Sequence, residues 1–310
     1  MKKTSIGGSA LLEGIMMIGP YKKAIAVRKP DGEMDLCVED LPKKNKISKI
    51  PIFRGAYNLI YQMIISIKAL TYAASFYDLE EEPKKEPEGE AVPKDDTIKK
   101  DKKNAETLGK GTIFFSLLLS LVVTVGLFIL LPNFLIGLLG IKSNILNNLL
   151  EGVVRILIFT LYLKLCSLMK DIKRVWMYHG AEHKTISCYE AADELTVANV
   201  RKYSTKHRRC GTSFMFLVLI VSIIVFSFVG WYSPLVNILF RIALIPLVAG
   251  IAYEIIRITG KHDNIVSRIV SAPGMWFQRL TTAEPDDGMI ECAIAAFTAV
   301  LPENENDSKW

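Results

Sequence analysis

CGTSFMFLVLIVSIIVFSFVGWYSPLVNILF, residues 210–240, carries no charged side chain. It is longer than the ~20 residues a helix needs to cross about 30 Å of hydrocarbon. Trp231-Tyr232-Ser233-Pro234 interrupts it, so it reads as two spans, near 213–230 and 235–253. Working outward, 111–131 is an uncharged apolar run ending at Pro132, and 149–168 is another that includes Glu151, Arg155 and Lys164. Apolar residues concentrate in 112–169 and 210–253 and charges outside them, while mean hydropathy is +0.27. That segregation excludes an ordinary soluble domain and marks membrane spans joined by soluble segments. The expected fold is mainly α: a polytopic α-helical membrane bundle of four spans (111–256), with a small cytoplasmic N-terminal β-hairpin element.

Basic residues set the expected orientation. The loop 170–210 holds Lys170, Lys173, Arg174, Lys184, Arg201, Lys202, Lys206, Arg208 and Arg209, and the tail 257–310 adds Arg257, Lys261, Arg268 and Arg279. The two other loops hold only Lys142. A cell-membrane protein with both termini and the middle loop in the cytoplasm is expected. No apolar stretch before Glu13 suffices for a signal peptide. Trp176, Tyr178, Trp231 and Tyr232 fall near the interfaces, as anchoring aromatic rings do. The net charge of +6 points first to orientation and to membrane lipid. No specific nucleic acid is predicted as a partner. The five scattered cysteines do not form a disulfide framework.

The outer segments differ in kind. Within 1–50, Ala24–Val27 and Met34–Val38 flank Lys29-Pro30-Asp31-Gly32, a strand-turn-strand pattern. Residues 51–77 form an apolar helix diluted by Asn58, Gln62, Ser66 and Lys68, expected at the interface or packed on the bundle. Composition leaves open whether 56–76 crosses the membrane. The linker 78–110, with Pro83, Pro87, Pro93 and runs of Glu and Lys, is expected to be disordered. A turn-rich segment over 273–285 and a short closing helix over 291–301 are expected in the tail.

Tyr178-His179-Gly180-Ala181-Glu182-His183 holds the pattern H-x-x-E-H of inverted zinc proteases. Two histidines four apart share a helix face, so both imidazoles can reach one divalent metal, with zinc the natural candidate. Glu182 beside them is the candidate catalytic residue, placed to polarise a bound water. Zinc needs a further ligand. Cys188, Glu190, His207 and Cys210 are near in sequence, and Glu254 closes the last span on the same side. The expected metal set is His179, His183 and one of Cys210 or Glu254. The plainer alternative is that the histidines hydrogen-bond in a packed interface or bind lipid phosphate. The run from Lys206 to Ser213 suits either phosphate binding or a positive flank. Glu151 and Arg155, four apart, can pair at membrane depth near Asn237 and Arg241, as a structural polar cluster or an ion path.

Several segments occur in a recognisable order: Gly7-Gly8-Ser9-Ala10, Glu13-Gly14-Ile15-Met16-Met17, Gly19-Pro20, Arg54-Gly55, His179 to Lys184, Arg209 to Phe214, and then Pro273-Gly274 followed by Gln278 to Thr282 and Glu284 to Asp287. Together they resemble an uncharacterised family of bacterial multi-pass membrane proteins, a domain of unknown function labelled "predicted metal-dependent enzyme". The resemblance covers nearly the whole chain except the linker, and it implies metal-dependent chemistry. Two functions are expected on these grounds. The first is a membrane-embedded metal-dependent hydrolase acting on lipid or peptide at the cytoplasmic interface. The second is a non-catalytic membrane factor whose basic face binds a large anionic partner such as the ribosome or the protein-insertion machinery.

Overall fold

A computed structural model describes residues 3–42, 50–77, 115–141, 143–228 and 234–309. The expected disordered linker, 78–110, lies outside them, as do Trp231 and Tyr232. The chain divides into two compact units, Met1–Asp78 with Phe159–Trp310, and Leu79–Ile158.

The N-terminal segment holds more than a hairpin. Strands β1 (Gly7–Leu11), β2 (Gly14–Ile18), β3 (Lys22–Arg28) and β4 (Met34–Asp40) form an antiparallel meander in that order. The hairpin read from sequence is β3–β4, with Arg28 opposite Met34 and Gly32 taking the positive φ of 87° that its turn requires. The missed half, β1–β2, has no alternation to reveal it: Gly14 to Met17 are all buried. The cause is that the sheet is covered on both faces. Leu11, Met16, Ile25 and Val27 pack on helix α1 (Phe53–Ala74) through Ile65, Ala69 and Ala73. Ile15, Met17, Ala24 and Ala26 face a second core with Tyr178, Ala181, Ile290 and Phe297. Tyr178 is therefore a core residue, 1% exposed, and not the interfacial anchor expected of it.

Helix α2 (Phe115–Gly137) runs on through Pro132, where a stop was expected. A π-helical stretch, Gly126–Leu130, precedes the proline. Phe128, four residues before Pro132, loses the N–H that a helix would return to its carbonyl. Arg155 Nε donates to that carbonyl at 2.8 Å. Arg155 lies on α3 (Asn144–Cys166), and its Nη2 donates to Glu151 at 2.5 Å, both side chains buried. The expected pair at these positions is thus formed.

The remaining helices belong largely to the first unit: α4 (Lys170–Glu190), α5 (Val197–Val200), α6 (Gly211–Ser227), α7 (Pro234–Lys261), α8 (Ile265–Thr281) and α9 (Asp287–Ala299). Among the described residues, two helices are long and apolar enough to cross a membrane, Phe115–Gly137 and Leu239–Lys261. Ile145–Cys166 joined to Lys170–Glu190 through a 101° bend would make a third. Gly211–Ser227 is apolar but short. Helix α1 is not among them. It packs on α7, where Gly55 meets Gly250 so closely that a Cβ on Gly55 would lie 2.8 Å from the Gly250 Cα.

The expected turn-rich segment over 273–285 is mostly helix. Asn264 caps α8 by accepting from the Ser267 amide at 2.8 Å, and an apolar stripe carries the helix through Pro273 to Thr281. The turn is confined to the residues before Asp286, which caps the closing helix α9 by accepting from the Met289 amide.

Candidate functional site

From Tyr178 onward helix α4 is buried on nearly all sides, polar side chains included. Glu182, His183, Lys184, Thr185 and Glu190 are all buried on it. Such groups are costly without partners, and all but Thr185, whose Oγ1 has none among the described residues, find them. Gly180 makes this possible: its ideal Cβ would lie 2.1 Å from the Ala283 carbonyl, so only glycine lets the chain after α8 approach this close.

The two histidines are tethered alike. His179 Nδ1 lies 2.8 Å from the Thr281 carbonyl, and His183 Nδ1 lies 2.6 Å from the Thr205 carbonyl. A carbonyl only accepts, so each Nδ1 carries a proton, and Nε2 is the atom that holds the lone pair when the ring is neutral. The two rings are 4.4 Å apart, centroid to centroid. His179 Nε2 is 3.1 Å from Cys210 Sγ. His183 Nε2 is buried without a hydrogen-bond partner among the described residues. One ligand atom from each of His179, His183 and Cys210 lies within 4.8 Å of the other two.

Cys210 arrives there as the N-cap of α6, where its sulfur accepts from the Thr212 amide at 3.3 Å. Burial pushes its thiol up, but the charges of His179 and His183 outweigh burial and hold it well below the ordinary range. Burial pushes His179 down, and the Cys210 and Glu182 charges reverse this, raising it to about 9. Glu182 Oε1 accepts from the Gly8 amide of β1 at 2.9 Å, leaving Oε2 for another partner. Burial raises this carboxyl above its usual range.

A second buried group braces the loop. Glu190 accepts from the Thr4 amide at 2.7 Å, from His207 Nε2 at 3.4 Å and from the Arg209 guanidinium. Gln278 of α8 is fully buried. Its Nε2 donates to the His207 carbonyl at 2.8 Å and to Ser213 Oγ at 2.9 Å, and its Oε1 accepts from the His207 amide at 2.8 Å. This side chain pins the segment 205–210, which supplies both the Thr205 carbonyl and Cys210.

His179, His183, Glu182 and Cys210 are thus brought together, as the sequence led one to expect. Glu254 is not in the group. It takes the Arg54 guanidinium, with Nε donating to Oε1 at 2.6 Å, and the Ile52 amide at 3.2 Å. The physical reason is the tight α1–α7 crossing, which sets a cation beside it. Cys188 also lies apart, its thiol directed at the Asp193 and Glu194 carbonyls. Backbone groups of Gly8, Thr205 and Thr281 were missed, because a backbone donor or acceptor leaves no side-chain signature. Gln278 and Thr281 did lie in one of the motif segments.

A cavity of about 360 Å³ opens beside the cluster. Glu182, Arg209 and Cys210 line its polar end, and Leu59, Phe214 and Ile256 its apolar side.

These residues fit a soft or borderline divalent ion. Two imidazoles and a thiol converge, and each histidine donates its Nδ1–H to a carbonyl, the arrangement that orients metal-bound histidines.

Residues 50–303 match the family described as "Protein of unknown function (DUF1385)". The "Uncharacterized protein YqhQ" of Bacillus subtilis (strain 168) is 33% identical over 305 residues, which cover 95% of this chain and 92% of that protein. No solved structure gives a significant match. The matched region contains His179, Glu182, His183, Cys210 and Gln278, and the relative extends over nearly all the rest, so this chain belongs to the DUF1385 family.

Proposed function

We propose that this chain is a multi-pass cell-membrane protein with both termini in the cytoplasm, carrying a metal-dependent hydrolase site at the cytoplasmic interface. The observation behind the site is the paired tethering of His179 and His183. With both Nδ1 atoms committed to carbonyls, Nε2 is the atom each ring has left for a metal, and one ligand atom from each of His179, His183 and Cys210 lies within 4.8 Å of the other two. His179, His183 and Cys210 would hold the ion, zinc being the best match to this donor set. A divalent ion here would supply Lewis acidity and lower the pKa of water.

The chain's own groups would do the rest. The Gly8 amide fixes Glu182 Oε1, so Oε2 is the atom to accept a proton from water and return it to a leaving group. The Thr281 and Thr205 carbonyls keep both rings in one tautomer. The cavity's mixed lining would admit a substrate with a polar, hydrolysable end and an apolar body, as lipids and hydrophobic peptides have.

The alternative, a basic surface for a large anionic partner, has less support. Arg174 pairs with Glu13, Lys184 with Glu284 at 2.8 Å, Arg201 with Asp287, Arg208 with Asp263 at 2.6 Å and Arg209 with Glu190. Much of the charge that prompted that reading is spent within the fold.

Metal content of the folded protein is the test. Wild type should retain about one ion per chain, His183→Ala should lose it, and Glu254→Gln should keep it. Negligible metal in wild type and His183→Ala alike would defeat the metal proposal.

A further inference from the structure

Helix α8 has two unlike faces. Ser267, Ser271, Gly274, Phe277, Gln278 and Thr281 are buried. Phe277 packs on Phe216 and Phe159, with ring centroids 4.7 and 6.0 Å away. Gly274 presses on Ser213, where a Cβ would lie 2.7 Å from the serine side chain. On the other side Ile265, Val266, Ile269 and Trp276 stand exposed, with Trp276 at 50%. Positions 265, 269, 272, 276 and 280 form one continuous apolar stripe at helical spacing, through Ala272 and the half-buried Leu280. Water does not favour such a stripe, which is larger than scattered surface residues explain.

Its surroundings say what covers it. Between 255 and 282 there are four basic side chains, Arg257, Lys261, Arg268 and Arg279, against one acidic, Asp263, which pairs with Arg268 at 3.1 Å and leaves the segment net positive. The helix also begins only a few residues after Leu239–Lys261, a helix apolar enough to cross a membrane. An apolar stripe with a tryptophan, flanked by basic residues and tied by a short turn to a span, is the composition of a helix lying in the plane of an anionic bilayer surface.

We infer that α8 is an in-plane anchor that lays Ile265, Ile269 and Trp276 into the acyl boundary of an anionic leaflet, with the flanking basic side chains on the headgroups. This rests on the membrane reading above and adds what the surface is for. The buried face of the same helix supplies the Thr281 carbonyl that tethers His179 and the Gln278 amide that pins 205–210. Lipid docking would therefore fix one wall of the site.

The experiment uses the full chain in vesicles of neutral and acidic phospholipid, with Trp176, Trp231 and Trp310 replaced by phenylalanine, so that Trp276 alone emits. Bromine is placed shallow or deep in the acyl chains, on either the neutral or the acidic lipid. A control variant replaces Trp276 as well and carries Ile245→Trp, at a half-exposed position of the α7 span. Trp276 should lose most emission to shallow bromine and the control to deep bromine. Acidic brominated lipid should quench Trp276 more than neutral lipid at equal mole fraction, since each engaged basic side chain strengthens attraction to an acidic surface roughly fivefold. Equal quenching by the two lipids would overturn the anionic surface. A quenched control with an unquenched Trp276 would overturn the anchor while sparing the membrane reading, and would mark the stripe as covered by protein. No quenching of either would overturn both.

Discussion

Replacing Gln278 with leucine separates a fold held by apolar packing from one held at the site by a single amide. Leucine nearly matches the volume of glutamine, so the fully buried position keeps its packing. What it loses is three hydrogen bonds: to the His207 carbonyl, to Ser213 Oγ and from the His207 amide. Each bond is worth about 1 kcal/mol net, and a buried group left without a partner costs about 1–3 kcal/mol. Ser213 is buried and cannot recruit water easily, whereas His207 is only half-buried, so its backbone groups recover part of the loss. A destabilisation of about 3 kcal/mol follows, concentrated in 205–210. Thermal unfolding in detergent measures the total, and hydrogen exchange at the His207 amide measures the local part. The amide should be protected in wild type and exchange much faster in Gln278→Leu. Gln278→Glu keeps the acceptor for that amide but sets a buried carboxyl oxygen against the His207 carbonyl, and should destabilise at least as much as Gln278→Leu. If Gln278→Leu stays within about 0.5 kcal/mol of wild type and the His207 amide remains protected, the clamp does not operate.

Two further perturbations test the frame around the site. Gly55→Ala places a Cβ 2.7 Å from the Tyr253 Cβ and 2.8 Å from the Gly250 Cα, with no flexible side-chain end to give way. Overpacking of this kind costs about 1–3 kcal/mol, read as a lower unfolding temperature in detergent, and an unchanged transition would mean that α1 and α7 do not cross this closely. Glu190 supplies a pH dependence. Burial pushes its carboxyl up, but the His207 hydrogen bond, the Arg209 charge and the Thr4 amide outweigh it and hold it below the usual range. A depressed folded-state pKa contributes stability that is complete above the ordinary carboxylate range and is lost as pH falls through the folded value. The unfolding temperature of wild type should therefore fall through this acid window, and Glu190→Gln should show a shallower acid limb. Identical limbs would remove Glu190 from the account.

Sequence alone determined the helical class, because long uncharged apolar runs have few other solutions. It also determined the H-x-x-E-H face, because residues four apart on a helix must stack. The β3–β4 hairpin was legible for the same reason: Gly32 fixes a turn locally. Everything of this kind depends on neighbours along the chain. Tertiary structure decided the rest. Strands β1 and β2 stayed hidden since burial on both faces erases the period-two signal. Pro273 did not stop α8, since burial of Ser267 and Ser271 before it and of Gly274 and Phe277 after it holds the helix on either side. The choice between Cys210 and Glu254 as the third member turned on which had a prior partner. The α1–α7 crossing brings Arg54 to Glu254, and the N-cap of α6 brings Cys210 to His179. Those contacts join residues about 200 and 31 positions apart, and no local pattern encodes them. The tethering of both histidines by the carbonyls of Thr205 and Thr281 was the least legible of all, because every residue has a carbonyl and only the fold decides where it points.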